Sequence, residues 1–442
     1  MKRIFRCIAA FLFLLYILFL PGRAESANAS VYHNLRNYTV DDGLSSNHVY
    51  GIVQDSIGFI WFGTDNGLCR FDGCEFRSYT HTDGDRSSIS SNNIRRLMLD
   101  SHGQIWLALD NGVDIYTPAT DRFRHFDVRT SDGACVTGQT TEVIEDRKGE
   151  IWIATVNSGL FRWNPVTECL TVYRNVPGDD TSIAQDYIST IYESKDGTIW
   201  IGTYSEGLCA FSKQTGCFTH YRKETDGRNC ISDNSIDAIT EDSYGTLWLG
   251  TVSSGLDRFD RSTGRFTNYD DRNGEGRLQR IHCLAERAPG ELLVCANSGA
   301  TLYRISESEL RPIEDTEVPF MRTKCCNIFS FLYDREGNFW FGSCYEGVEF
   351  HPARNSFTCY ATRKNDSSDR GKVVSAVCEL KDGQYLLGNE NDGILLFDRH
   401  AGMVVPYRTA QNVGTAIYNV FSMLVDDQTL WIAAFQRGIE AV

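Results

Sequence analysis

The sequence predicts an all-β fold, a β-propeller of four-stranded blades, on three observations. The first is a recurring anchor: Trp61, Trp106, Trp152, Trp200, Trp248, Leu293, Trp340, Leu386 and Trp431 head nine copies of one unit, spaced 45 to 48 residues apart. Repeats of about 40 to 50 residues built from short strands are the signature of propeller blades. The second is that apolar residues alternate at period two within each unit, which suits strands and not a helical repeat. The third is turn chemistry. In FIWFGTDNGLCRFD, Phe59 to Asp72, Gly63 and Gly67 bracket Asp65-Asn66, residue types that tolerate left-handed backbone angles.

Each unit contains the same parts in order. An apolar run comes first, as in Val49 to Val53 or Ile236 to Ile239, and forms strand A beside the channel. An Asp- and Gly-bearing turn follows, such as Asp55 to Gly58 or Asp242 to Gly245. Strand B carries the Trp, strand C begins at Gly-Leu, and strand D is a short aromatic run such as FRSYT at Phe76 or FTNYD at Phe266. A single blade cannot bury both its faces, so neighbours must stack, with the Trp anchors between them. Repeat six is degenerate: its anchor is Leu293, and Glu307 to Glu317 stands in place of an outer strand.

Residues 25 to 35 read as a polar lead-in, and Arg36 to Val40, RNYTV, matches strand D without a preceding A to C. An orphan strand D at the start suits a ring that the N-terminus closes, since closure removes exposed edges. Seven blades over residues 31–354 is the expected ring, with RNYTV completing the Trp340 blade. The native strand D of that repeat, FTCYA at Phe357, then opens an incomplete second propeller of two blades over 355–442. The alternative is one nine-bladed ring in which RNYTV completes the Trp431 repeat. The unpaired edge of the seven-blade arrangement favours self-association or pairing with other sensor subunits.

Lys2, Arg3 and Arg6 precede an apolar run from Cys7 to Leu20, and Pro21-Gly22-Arg23-Ala24 offers a cleavage site after Ala24. Residues 1–24 therefore read as a signal peptide, which places the mature chain in the periplasm. A net charge of −15 and a pI of about 5.1 argue against a nucleic-acid partner, which needs a basic footprint. Of 15 cysteines all but Cys7 follow residue 24, so disulfides are chemically permitted. Most sit inside strands as small apolar fillers, while Cys69 with Cys74 and Cys209 with Cys217 flank C–D hairpins and are close enough in sequence to pair. Cys325, Cys326 and Cys344 lack histidines at zinc spacing. No metal site and no cofactor is expected.

The short A–B and C–D turns share one face, and the long polar D–A connections share the other with the B–C turns. Loops on a rigid scaffold are where binding usually sits. The candidate ligand-binding residues are therefore Asp65, Asn66, Asp110, Asn111, Asn157, Tyr204, Glu206, Tyr345 and Glu346, all in B–C turns. Each is also an ordinary turn residue type. Evenly spaced Trp anchors belong to the core, whereas irregular, loop-borne aromatics such as Tyr204, Tyr345 and Phe435 suit stacking on a sugar. The Asp turns lack the alternating oxygen ligands and bidentate Glu of a calcium loop. They approach the Asp-box of sialidases, but no arginine cluster or Tyr–Glu pair stands out, and no catalytic residue is assigned.

The tract from Tyr38 to Gly73, YTVDDGLSSNHVYGIVQDSIGFIWFGTDNGLCRFDG, resembles the two-component regulator propeller repeat. That repeat builds the periplasmic sensor of hybrid two-component systems in Bacteroidetes, and the similarity extends over essentially the whole mature chain. The resemblance implies a glycan-sensing module whose partner is an oligosaccharide or other small ligand. It also implies a kinase, a receiver and a DNA-binding domain, none of which is present in this sequence. A secreted propeller that binds protein partners is the alternative, and a propeller glycosidase or lyase a third reading.

Overall fold

The computed structural model describes residues 27–32, 35–224, 229–270, 278–306, 310–313, 323–353, 359–362, 373–381, 383–390, 393–399, 403–407, 419–426 and 429–441. Their regular structure is almost entirely β-strand, arranged mainly as four-stranded antiparallel sheets. The expected signal peptide, 1–24, lies outside the described residues. The chain divides into two units, 35–355 on one side and 1–34 with 356–442 on the other.

Unit 35–355 contains seven four-stranded sheets. Their A strands are Val49–Gln54, Ile94–Leu99, Thr140–Glu145, Ile188–Glu193, Ile236–Glu241, Ile281–Ala288 and Ile328–Tyr333. Each lies against the next, and the seventh lies against the first. The sheets therefore close a ring, and we number its blades one to seven in that order.

The packing follows from the repeat. The Trp of one blade meets the strand C aromatic of the next: Trp61 with Tyr116 at 4.9 Å, Trp152 with Phe211 at 5.4 Å and Trp200 with Phe259 at 5.9 Å. The same contact, Trp340 with Phe71 at 5.8 Å, joins blade seven to blade one. Trp61, Trp106, Trp152 and Trp248 are wholly buried.

Blade seven is completed by Arg36–Tyr38, which pairs antiparallel with Val348–His351 in the sheet that holds Trp340. Tyr38 stacks on Trp340 at 5.9 Å, as Tyr79, Tyr221 and Tyr269 lie on Trp61, Trp200 and Trp248. The glycine that opens strand C enforces this fit. Gly347 has φ +81°, and a Cβ there would run into the Tyr38 carbonyl, just as one on Gly207 would run into that of Tyr221. Only a residue without a side chain allows strand D so close. The strand ends at Tyr38, and Val40–Asp42 turns as one 3-10 segment capped by Thr39. Blade six keeps a short outer strand, Leu310–Pro312, paired to Gly299–Ile305, where the sequence suggested none.

The second unit contains a six-stranded sheet in the order Cys359–Thr362, Ala27–Tyr32, Met403–Pro406, Gly393–Asp398, Gln384–Asn389, Val374–Lys381. The expected polar lead-in is thus partly a strand, since Ala27–Tyr32 pairs on both edges through backbone hydrogen bonds. A three-stranded sheet, Val420–Asp426, Thr429–Ala434 and Gly438–Ala441, packs on it through Leu386, Val420 and Ile432. Its other face is uncovered among the described residues. Trp431 is 43% exposed there, unlike the anchors of the ring.

Candidate functional site

The A–B turns explain why the anchors sit so regularly. In blade one Asp55 is 2% exposed; its Oδ1 accepts the N–H groups of Ile57, Gly58 and Phe59, and its Oδ2 accepts the Trp61 indole N–H at 2.8 Å. Asp100, Asp146, Asp242 and Asp334 do the same for Trp106, Trp152, Trp248 and Trp340 at 2.8 to 2.9 Å. Ser194 takes that place for Trp200 at 3.1 Å. These acidic turns are hairpin anchors, with Gly58, Gly149 and Gly245 at positive φ.

The opposite face carries the D–A loops and B–C turns, and a buried row holds it in place. In blades two, five and seven the second residue of strand C or its equivalent is a buried carboxylate facing the incoming D–A loop. Asp114 accepts the Ser90 N–H at 2.6 Å, and His125 Nδ1 lies 2.8 Å from its other oxygen. Asp257 accepts the Ser232 N–H at 2.8 Å. Glu349 accepts the N–H groups of Lys324 and Cys325, each at 2.8 Å, and His351 Nε2 lies 2.7 Å away. Burial pushes the Asp257 carboxyl up. Burial also acts on Glu349, but His351 and the loop N–H groups outweigh it and hold that carboxyl low.

Cys69 and Cys209 occupy the same position in blades one and four, where their thiols receive the backbone of Ser45 and Ala184. Burial raises the Cys209 thiol to about 11. Both cysteines are fully buried and free, while Cys74 and Cys217 are exposed and free. The pairings of Cys69 with Cys74 and Cys209 with Cys217 that the sequence allowed are therefore absent: one thiol of each pair is buried under a loop and the other is exposed.

The candidate residues all lie on this face, in the following settings. Asp65 pairs with His48 Nδ1 at 2.8 Å, and His48 meets the Tyr345 ring edge-on at 5.3 Å. Asp65 and Tyr345 are thus brought together across the boundary of blades one and seven. Asn66 and Asn111 donate to the carbonyls of Ser45 and Ser90 at 3.0 Å each, so both tie a B–C turn to its D–A loop. Asp110 and Asn157 are exposed in their turns. Glu206 pairs with Arg222 at 3.2 Å. The Glu346 carbonyl accepts from Asn37 at 2.8 Å, which links that turn to the closing strand. Tyr204 is 54% exposed and stacks on Tyr187 at 4.6 Å with the rings 9° apart.

Sequence reasoning placed strand A beside a channel but singled out none of the residues that line it. Every A strand has a register shift after its first residue, at Val49/Gly51, Ile94/Arg96, Thr140/Glu142, Ile188/Thr190, Ile236/Ala238, Ile281/Cys283 and Ile328/Ser330. A bulge of this kind re-aims a side chain. The channel, of about 220 Å³, is lined from all seven blades, among others by Tyr50, Arg96, Glu142, Asp237, His282 and Phe329. Arg96 donates to the carbonyls of Tyr50 at 2.8 Å and Phe329 at 3.1 Å, and its Nε stands 3.7 Å from Glu142. Arg280 lies 3.8 Å from Asp237. Arg95 lies 5.2 Å from the Tyr50 ring centroid, and its Nε is buried without a hydrogen-bond partner.

Burial drives the electrostatics. It pushes the Glu142 and Asp237 carboxyls up against the pull of Arg96 and Arg280. It holds His282 down at about 4 and, with Cys344, raises Tyr50 to about 12. The result is a polar, aromatic funnel whose buried carboxylates resist ionisation. The available signal was charge inside apolar runs, namely Arg95, Arg96, Glu142 and Asp237 within A strands.

A closed ring of stacked four-stranded blades with such a loop face defines a β-propeller. The family model for the two component regulator propeller matches residues 43–66, 182–205 and 230–253. These three segments, in blades one, four and five, thus match the two component regulator propeller repeat. A 54-residue stretch, 12% of this chain, is 44% identical to histidine kinase P4 of Formosa agariphila and corresponds to 4% of that protein. Among solved structures, the chain is similar to the extracellular domain assigned to the hybrid two component system BT3049 of B. thetaiotaomicron. That similarity has TM-score 0.68 and 24% identity and covers 93% of this chain and 53% of that one. The extracellular domain of BT4673 from the same organism matches with TM-score 0.57 and 21% identity over 92% and 52%. Virginiamycin B lyase of Staphylococcus aureus shares the fold at TM-score 0.52 and 16% identity, over 74% of this chain and 100% of that one. The chain thus spans about half the length of the two extracellular domains.

Proposed function

We infer that the chain is the ligand-sensing propeller module of a two-component system, working outside the cytoplasm, and that its ligand is an oligosaccharide held on the D–A/B–C face without turnover. The observation that carries this reading is the Tyr187–Tyr204 stack, exposed on that face, with Arg95, Arg280 and Asp237 close enough to influence the Tyr187 phenol. A flat aromatic face takes the apolar side of a sugar ring, and charged groups beside it fix the hydroxyls. The buried anchors under each D–A loop support the same reading, because a receptor surface held rigid before binding loses less entropy on binding.

The compartment is supported by the basic and apolar segment at Lys2 to Leu20 and by the similar domains of BT3049 and BT4673, which are extracellular. No helix among the described residues is long and apolar enough to cross a membrane.

Screening residues 25–442 against a glycan panel by thermal shift, with product analysis on each hit, tests the proposal. A saturable stabilisation by at least one oligosaccharide, with the sugar recovered intact, is expected. Cleavage of the hit would favour a glycosidase or lyase, and no stabilisation across the panel would favour a propeller for protein partners.

A further inference from the structure

The clefts between neighbouring blades carry a repeated latch on the A–B/C–D face, away from the loop face. At the boundary of blades three and four, Glu193 accepts the Arg147 N–H at 2.8 Å. The Lys213 ammonium lies 2.7 Å from both Asp146 and Glu193. The lysine is only 11% exposed, and its nitrogen is 5.9 Å from the Trp152 ring centroid. At the next boundary Glu241 accepts the Lys195 N–H at 2.6 Å, and Arg261 pairs with Glu241 and with Asp196. Two successive clefts are thus each filled by a cation from the residue two places past the strand C aromatic.

The boundary of blades two and three has the same acceptors and, among the described residues, no such cation. Glu145 accepts the Ser101 N–H at 2.6 Å and its hydroxyl at 2.7 Å, and Asp100 holds the Trp106 indole. The residue matching Lys213 and Arg261 is Pro165, two places past Trp163. In place of the side chain there is a cavity of about 250 Å³, lined by Asp100, His102, Trp106, Glu145, Trp163 and Pro165 among others. The Trp163 indole nitrogen is buried without a hydrogen-bond partner, which leaves a donor for an acceptor near the cation.

We propose that this cavity binds a primary ammonium group at the end of an alkyl chain, seated between Asp100 and Glu145 over Trp106 as Lys213 is seated next door. The source is either a small amine or a lysine side chain of a partner protein. Carboxylates combined with aromatic faces recognise such a group. The proposal is independent of the sugar reading, since it concerns the other face of the ring.

The test is fluorine NMR of the full chain labelled with 5-fluorotryptophan, with Trp106 and Trp163 assigned by single Trp→Phe variants. The titrants are n-butylammonium and Nα-acetyl-lysine amide, with n-butanol and potassium chloride as controls. Saturable shifts of Trp106 and Trp163 with an amine, and with neither control, are expected. Glu145→Gln should weaken binding at least about tenfold, as loss of a charged hydrogen bond does. Pro165→Lys should abolish it, because the tethered ammonium occupies the cavity. Equal affinity for the two amines assigns a small amine. Affinity higher by about tenfold or more for the lysine amide, the scale of about one further hydrogen bond, assigns a protein side chain. The proposal is overturned if no amine gives a saturable shift, if potassium alone gives it, or if the shift persists unchanged in Glu145→Gln.

Discussion

Replacing Asp146 by Ala removes one carboxylate that serves four donors. Its Oδ1 accepts the N–H groups of Lys148 and Glu150 at 2.9 Å each, and its Oδ2 the Trp152 indole at 2.9 Å and the Lys213 ammonium at 2.7 Å. Trp152 is fully buried and Glu150 is 5% exposed. A buried donor left without a partner costs about 1–3 kcal/mol, and breaking a buried ion pair costs about 3–5 kcal/mol. Lys213 retains Glu193 and the Lys148 N–H regains water, so the loss should be about 4 kcal/mol rather than the sum. Asp146→Asn keeps an acceptor but loses the charge, and should cost about 2 kcal/mol. The assay is urea unfolding of residues 25–442, comparing midpoints at unchanged slope. A loss under about 1 kcal/mol for Asp146→Ala would refute the claim that these turns anchor the tryptophans.

Four further outcomes are expected. Trp200→Ala should cost about 3–5 kcal/mol in the same assay, and a loss under about 1 kcal/mol would show that it is not core. Gly347→Ala, at φ +81° against the Tyr38 carbonyl, should expose the amides of blades one and seven to hydrogen exchange. Gly58→Ala, at φ +115° with open space around it, should cost only about 1 kcal/mol and leave the exchange pattern alone. Lys213→Met should be destabilising near neutral pH and lose its deficit in acid. Although burial pushes Asp146 up, Lys213 and Trp152 hold its carboxyl below the ordinary value. The stabilisation is therefore present above the unfolded value of about 3.9 and lost as pH falls through the lower folded value, and a stability difference that stays constant down to acid unfolding would contradict this. Tyr204→Ala with Tyr345→Ala should weaken binding of a panel hit while the melting temperature stays nearly fixed, and an unchanged affinity would place the site elsewhere.

Much of the ring was legible because its burial is periodic. The Trp anchors, the glycine that opens strand C and the Tyr of strand D recur at fixed offsets, so Arg36–Tyr38 could be recognised as a strand D without its blade. Its pairing with the Trp340 blade was the favoured of two readings, and the sheet order decides it against the Trp431 repeat. Ala27–Tyr32 was not legible, since its short alternation rests on the small residues Ala27 and Ala29 with Val31, a weak signal beside the polar lead-in, and the strand is identified by backbone pairing. The Asp turns read as turns, and although an Asp recurs six residues before the Trp in five repeats, the spacing alone does not show that its carboxylate turns inward to the indole. The channel arginines were hidden because each bulge breaks the inside–outside alternation where they stand. Asn66 and Asn111 could be placed on the right face, yet their tie to the D–A loop carbonyls required coordinates.

The central claim is that ligand is taken on the D–A/B–C face of the ring. Hydrogen exchange of residues 25–442 with and without a stabilising oligosaccharide tests it most directly. Protection should fall in the B–C turns around Asp65, Asp110, Asn157, Tyr204 and Tyr345 and in the loops leading into the A strands. The A–B turns around Asp55, Asp100, Asp146 and Asp242 should stay unchanged. Protection centred on those A–B turns, with the Tyr187–Tyr204 region unaffected, would contradict the account.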